Sequence, residues 1–389
     1  MKRIAISMLL ASLMALMTGC GRCYQGLCLP TAGSEPLLRD LMAGDATSQL
    51  KQTTPSPKRE EIRFQVAGKQ YLADLYTPGQ SPGQSQAEPG QAALLLLPGT
   101  TTDGKNDTRM VDFARSLARS RFNVLVPDLE NLKALRITPD EVGQIADVFE
   151  YLAARDDLAP HRRAGIAAVS YIVGPALLAA AEPRIRDNVK FVFGLGGYYD
   201  LEQVLTFVTT GQYLDEQRQW QYRQPNAHGK WVLVLSNLDR LDDPSDRSTL
   251  ADIARIKIND PEAPIGDLSD KLKSQQGKAL IALMNNRDRT QVPGLIAQLP
   301  ASVRADLDAL NLRKRDLSGL RARVHLLHGY DDSLIPFTES IALERALKSE
   351  KSLFLVKGLD HVAFSSEPDW FDALSLACVA TKLLDERWR

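Results

Sequence analysis

A serine hydroxyl attacks a carbonyl only if it stands clear of the backbone and has a base to take its proton. Ser170 lies where the first condition can be met. Residues 165–169 (GIAAV) are short and apolar enough for a strand covered on both faces, and residues 175–182 (PALLAAAE) have helical spacing with a proline suited to a first turn. A sharp strand-to-helix turn at Ser170 would expose the hydroxyl, and the amide of Tyr171 at the helix start could hold a developing oxyanion. Ala168 is small, as such a turn needs; Ile172 is not. The base has its best context in His361, which follows the apolar run 353–356 after Lys357-Gly-Leu-Asp360. Of the other four histidines, His161 precedes two arginines, His228 lies in a helical region, His325 sits within an apolar strand and His328 ends that strand beside Gly329. A third group must orient the base and stabilise the imidazolium. Asp331 or Asp332 can do this from the acidic turn after residues 324–328, whereas Asp360 is too close in sequence to His361. Asp128 and Asp200, each just after a strand, read as caps or turn residues.

The surrounding elements must bring these groups together. Residues 62–66 and 70–76 alternate around Gly68-Lys69 as a hairpin, and 77–91 is a surface loop rich in Pro, Gly, Gln and Ser. Strands are expected at 94–97, 122–128 and 189–194, with helices at 112–120 and 139–154 between them. Such alternation implies a mainly parallel sheet, helices on both faces, and a site at the carboxyl ends of the strands. From 201 to 320 the rhythm breaks into helical spacing at 201–208, 231–235, 250–258, 279–284, 295–299 and 303–312.

The strand ending in Pro98-Gly-Thr-Thr-Thr102, the serine turn, the acidic turn and the strand leading to His361 together resemble the α/β-hydrolase family of serine hydrolases, in which nucleophile, acid and histidine follow in that order. The resemblance covers roughly 60–200 and 320–389 and implies an α/β-hydrolase fold with a helical cap at 201–320. Family members resemble Gly-x-x-Asp-x-x-Ile/Val-Pro at the acid, which puts Asp332 in register, with Asp331 capping or facing solvent. It implies a triad of Ser170, Asp332 and His361, and an oxyanion hole from Tyr171 with Thr100 or Thr101; Pro98-Gly99 replaces the His-Gly usual in the family. The reaction implied is hydrolysis of a small-molecule ester or related acyl substrate without metal or organic cofactor, with substrate choice made in the cap. Tyr198, Tyr199, Trp220 and Tyr222 are candidate pocket residues. An amide-cleaving peptidase and a catalytically inactive binding or scaffold protein of the same fold are the alternatives.

The 389 residues are 44% hydrophobic, enough for a full-sized core, and a net charge of −1 supplies no basic field for nucleic acid. Met1-Lys-Arg followed by apolar residues 4–17 has the form of an export signal, and residues 13–20 (LMALMTGC) resemble a bacterial lipobox. This implies a leader at 1–19, lipid on Cys20 and attachment to an envelope membrane, the outer membrane in a Gram-negative source. Residues 20–60, including an amphipathic piece at 37–42, read as a tether, followed by core segments at 61–200 and 321–389. Of the four cysteines, Cys23 and Cys28 are close enough for a small disulfide loop, and Cys378 reads as a buried small hydrophobe.

Overall fold

The computed structural model describes residues 30–80, 91–361, 363–364 and 369–389. Its strands are β1 (Lys58–Val66), β2 (Lys69–Thr77), β3 (Ala92–Leu97), β4 (Phe122–Pro127), β5 (Ala164–Val169), β6 (Val189–Leu195), β7 (Gln212–Leu214), β8 (Trp220–Tyr222), β9 (Arg323–Gly329), β10 (Lys351–Val356), β11 (Leu359–Asp360) and β12 (Ala363–Phe364). Eight of them form one sheet in the order β1-β2-β4-β3-β5-β6-β9-β10, in which β2 alone runs against the rest. β3, β4 and β5 are buried at every position, as continuous apolar runs between two helical layers must be. Register aligns Leu97 with Ala168, Val169 with Leu195, Leu195 with Leu327, and Gly329 with Val356. The loops leaving β3, β5, β6, β9 and β10 therefore emerge side by side.

Two apolar layers cover the sheet. On one face, helices Asp140–Ala153, Val173–Ala180 and Phe337–Ala346 contribute to a core with Ile145, Phe149, Val173 and Leu343. On the other, helices Ser34–Ala43, Thr108–Arg119 and Trp370–Asp385 contribute Leu37, Leu117 and Val379. The first of these corrects the tether reading from residue 34 onward. Leu37 is buried, and the Asp40 carboxylate, also buried, accepts bonds from Ser48 and, at 2.6 Å, from Ser116 Oγ. Thr31 N–H donates to Thr381 Oγ1 at 3.0 Å, which ties the entrance of this helix to the last one. Pro36 was compatible with a helix all along, because it falls in the first turn where its amide would have had no partner.

Residues 201–320 form helices around a separate apolar cluster of Trp231, Leu250, Ile253, Leu283 and Val292. The hydrophobic run at 231–235 lies in the helix Ala227–Ser236, as its spacing predicts, but the hairpin of β7 and β8 was not foreseen. Within this unit Lys230 is buried and donates from Nζ to the Met284 carbonyl at 3.0 Å. Burial and the nearby Arg287 and Lys257 push its pKa down from 10.5 to about 8, with Glu262 opposing. Between those two values the unfolded chain binds the extra proton, so stability rises with pH across that window. In urea titrations, the wild type should gain on Lys230→Met by on the order of 2–3 kcal/mol between pH 8 and 10.5.

Cys378 is buried and disulfide-bonded, not a packed thiol, and no other cysteine lies among the described residues. The expectations for the leader, Cys20, Cys23 and Cys28 fall outside those residues. No described helix is long and apolar enough to cross a membrane.

Candidate active site

Ser170 is the first residue beyond β5, with φ +67°, in the left-handed region that costs a residue bearing a Cβ. That turn sends the chain through a single 3₁₀ turn, Ser170–Ile172, and into the helix Val173–Ala180. Ile172 is accommodated as a fully buried core residue. Clearance for the helix comes from the neighbouring strand and its exit loop, since a Cβ on Gly194 or Gly197 would lie only 2.9 or 2.6 Å from Val173 Cγ1.

His361 is 191 positions away in sequence and brings Nε2 to 2.7 Å from Ser170 Oγ. Its Nδ1 lies 2.8 Å from Asp332 Oδ2. A carboxylate can only accept, so Nδ1 carries the proton and donates, leaving the Nε2 lone pair to accept from the serine hydroxyl. His361 also has a positive φ, 57°. Two strained backbones at two hydrogen-bonded side chains persist only where the surroundings over-determine them.

The surroundings are specific. Asp332 is fully buried, and its Oδ1 accepts the amides of Leu334 and Ile335, each at 2.8 Å. Burial by itself would push its pKa up, but bonds from His328 and His361 hold it well below the usual carboxylate range. His328, which the sequence marks as a structural strand end, thus touches the acid directly. Its Nε2 is 3.0 Å from the Ile335 carbonyl and 3.1 Å from Asp332 Oδ2, while Nδ1 is 2.7 Å from Ser340 Oγ. Two acceptors facing Nε2 fix the proton there. Without this donor the Asp332 carboxylate is easier to protonate. His328→Phe should therefore lower kcat roughly tenfold, with a melting curve to report the folded fraction.

The acid and histidine turns are laced together by two carboxylates, Asp331 and Asp360. Asp331 Oδ2 accepts the Gly358 amide at 2.7 Å. Asp360 Oδ1 accepts both the amide and the hydroxyl of Ser333, each at 2.9 Å. This approach requires Gly329, where a Cβ would fall 1.7 Å from the Leu359 carbonyl oxygen. A Cβ on Gly196, at φ +64°, would lie 3.4 Å from His361 Nδ1 and 3.5 Å from Asp332 Oδ2. Of the remaining candidates, Asp200 caps its helix through the Glu202 amide, and His325 is buried between Ser352 and Glu386.

Tyr171 occupies the second position of the turn, where a helix start leaves amides without partners further back along the chain. The loop after β3 runs against the elbow: a Cβ on Gly99 would meet the Val169 carbonyl oxygen at 3.6 Å and Ser170 Cβ at 3.9 Å, ordinary contacts that do not demand glycine. Thr100 and Thr101 line the same cavity as Ser170, and Thr101 Oγ1 donates to Asp107 at 3.2 Å. The aromatic candidates lie elsewhere. Tyr198 is buried and donates to the Leu310 carbonyl at 2.9 Å, and neither it nor Tyr199, Trp220 or Tyr222 lines that cavity.

No family model matches the chain, and no curated protein does. Among solved structures it is similar to a dienelactone hydrolase from Anabaena variabilis, at 14% identity over 84% of this chain and 98% of that one, TM-score 0.43. It is also similar to a cold-adapted esterase from an Arctic intertidal metagenomic library, at 13% identity, 86% and 95% coverage and TM-score 0.41. A third is an acylaminoacyl peptidase from Pyrococcus horikoshii, at 12% identity, 80% and 38% coverage and TM-score 0.41. The strand order with its single reversed strand, and the succession of serine after β5, aspartate after β9 and histidine after β11, give this chain the α/β-hydrolase fold.

Proposed function

We propose that this chain is a serine hydrolase that cleaves a carboxylic ester through an acyl-enzyme on Ser170. The observation carrying the reading is the pair of contacts at His361, 2.7 Å to Ser170 Oγ and 2.8 Å to Asp332 Oδ2. As Ser170 Oγ bonds to the carbonyl carbon, its proton passes to His361 Nε2, and Asp332 stabilises the imidazolium. The carbonyl oxygen, now negative, draws on the Tyr171 amide and one from the Thr100–Thr101 loop. Each such donor is worth a few kcal/mol in the transition state. His361 returns the proton to the departing alkoxide as the ester bond breaks. Water then loses a proton to the same nitrogen as its oxygen bonds to the acyl carbon, and His361 returns that proton to Ser170 Oγ as the Oγ–acyl bond breaks and the acid leaves. The reading also places the enzyme at an envelope membrane through lipid on Cys20, which rests on residues 13–20 alone.

A fluorophosphonate probe tests the chemistry because it needs an activated serine. Covalent labelling of the wild type on Ser170 is the expected result. A folded, unlabelled protein would instead favour the inactive scaffold, and turnover of peptide amides in preference to esters would favour the peptidase.

A further inference from the structure

The cap was the expected seat of substrate choice, yet of its residues only Asn226 lines the cavity that opens at Ser170 and His361. That cavity measures about 670 Å³, within the roughly 300–1,000 Å³ typical of ligand pockets. It extends instead beneath the site, between the N-terminal helix and the last helix. The N-terminal helix supplies Leu37, Leu38 and Leu41, and the last helix supplies Leu376, Val379, Ala380 and Leu383. Spacings of three and four residues put each set on a single helical face. Val169, Phe193 and Leu327, from the carboxyl ends of β5, β6 and β9, complete the floor. Charged groups, Asp107, Arg109, Asp112 and Asp360, also border the space, and Arg109 is paired with Asp107 at 2.7 Å.

Given the hydrolase reading, on which this step rests, we infer that the cavity takes a long unbranched aliphatic chain of the ester, with the N-terminal and last helices setting chain-length preference. Ser170 and His361 line the same cavity, so whatever fills it lies beside the reacting carbonyl. The volume admits on the order of twenty water-sized groups, far more than an acetyl or a short alcohol occupies. A largely apolar wall rewards transfer of each methylene out of water and offers a polar substrate body few partners. The aliphatic chain could belong to the acyl or to the alcohol half, and the assay separates the two.

The test measures kcat/KM for p-nitrophenyl esters from acetate to dodecanoate, and for acetate esters of ethanol to dodecanol. In one series the rate should rise roughly two- to fourfold per methylene until the cavity is full; which series rises names the half. Ala380→Phe fills the space and should lower the decanoate-to-acetate ratio, or its alcohol-series equivalent, at least tenfold. Leu38→Gln, a milder change on the facing helix, should lower it several-fold, and circular dichroism reports folding of each. Trp220→Ala, in the cap, should leave the ratio unchanged. Fatty-acid binding to Ser170→Ala by calorimetry supplies an arm independent of turnover, with affinity rising with chain length and falling in Ala380→Phe/Ser170→Ala. Turnover that is flat with length in both series would overturn the inference while sparing the hydrolase reading. Length-dependent binding with no turnover of any ester would do the reverse.

Discussion

Ser170→Ala is expected to lower kcat for a simple ester by roughly 10⁴- to 10⁶-fold and to abolish fluorophosphonate labelling. The expectation follows from geometry that leaves no substitute. Among the described groups only the Ser170 hydroxyl is hydrogen-bonded to His361 Nε2, and the loop after β3 is aimed at this elbow. Removal of the oxygen leaves oxyanion amides and cavity in place, which accounts for a residual rate above that of water. Alanine carries the same Cβ at φ +67°, so backbone strain is unchanged and thermal stability should stay close to wild type. Steady-state turnover with a parallel melting curve checks both halves. Loss of less than a hundredfold would mean that Ser170 is not the nucleophile.

Asp332→Asn should lower kcat by roughly 10⁴-fold, and the reason is a forced tautomer. Oδ1 of Asp332 accepts two backbone amides, from Leu334 and Ile335, and only an oxygen can do that. The asparagine amide group must then occupy the Oδ2 position, where it donates toward His361 Nδ1. A ring that accepts at Nδ1 is protonated at Nε2, and Nε2–H cannot take the Ser170 proton. Asp331→Asn and Asp360→Asn keep an oxygen for the Gly358 and Ser333 donors and should cost far less, within about tenfold. Comparison of the three variants under one assay separates the acid from its neighbours; equal losses would deny Asp332 its special role.

Much of the catalytic arrangement was legible because each group stands just past a recognisable strand. Residues 165–169 and 353–356 are unbroken apolar runs and 324–328 is one broken only by His325 and His328, and a fully buried parallel strand has few other sequence signatures. Those runs with the order of turns point to Ser170, to His361 and to Asp331 or Asp332, and the family resemblance puts Asp332 in register. The same logic failed for His328, because a histidine ending a strand looks alike whether it packs or donates. Only the 3.1 Å approach of Nε2 to Asp332 reveals that it donates. The roles of Asp331 and Asp360 were hidden for a similar reason, since the groups that donate to them, Gly358 and Ser333, lie in the opposite turn.

The cavity was the least legible feature. Leu37, Leu38 and Leu41 are visible as an amphipathic scrap, but Pro36, Gly33 and the polar run after 49 read as linker. What that scrap packs on is a helix more than 330 positions later, and nothing local encodes that pairing. The linear chain by itself determined the class of fold and the two-face burial of the sheet, which depend on periodicity, and it narrowed the acid to the pair Asp331 and Asp332. Tertiary structure alone decided where the apolar room beside Ser170 lies and which helices wall it. A cavity is the space left between surfaces remote in sequence, and its shape depends on how they meet.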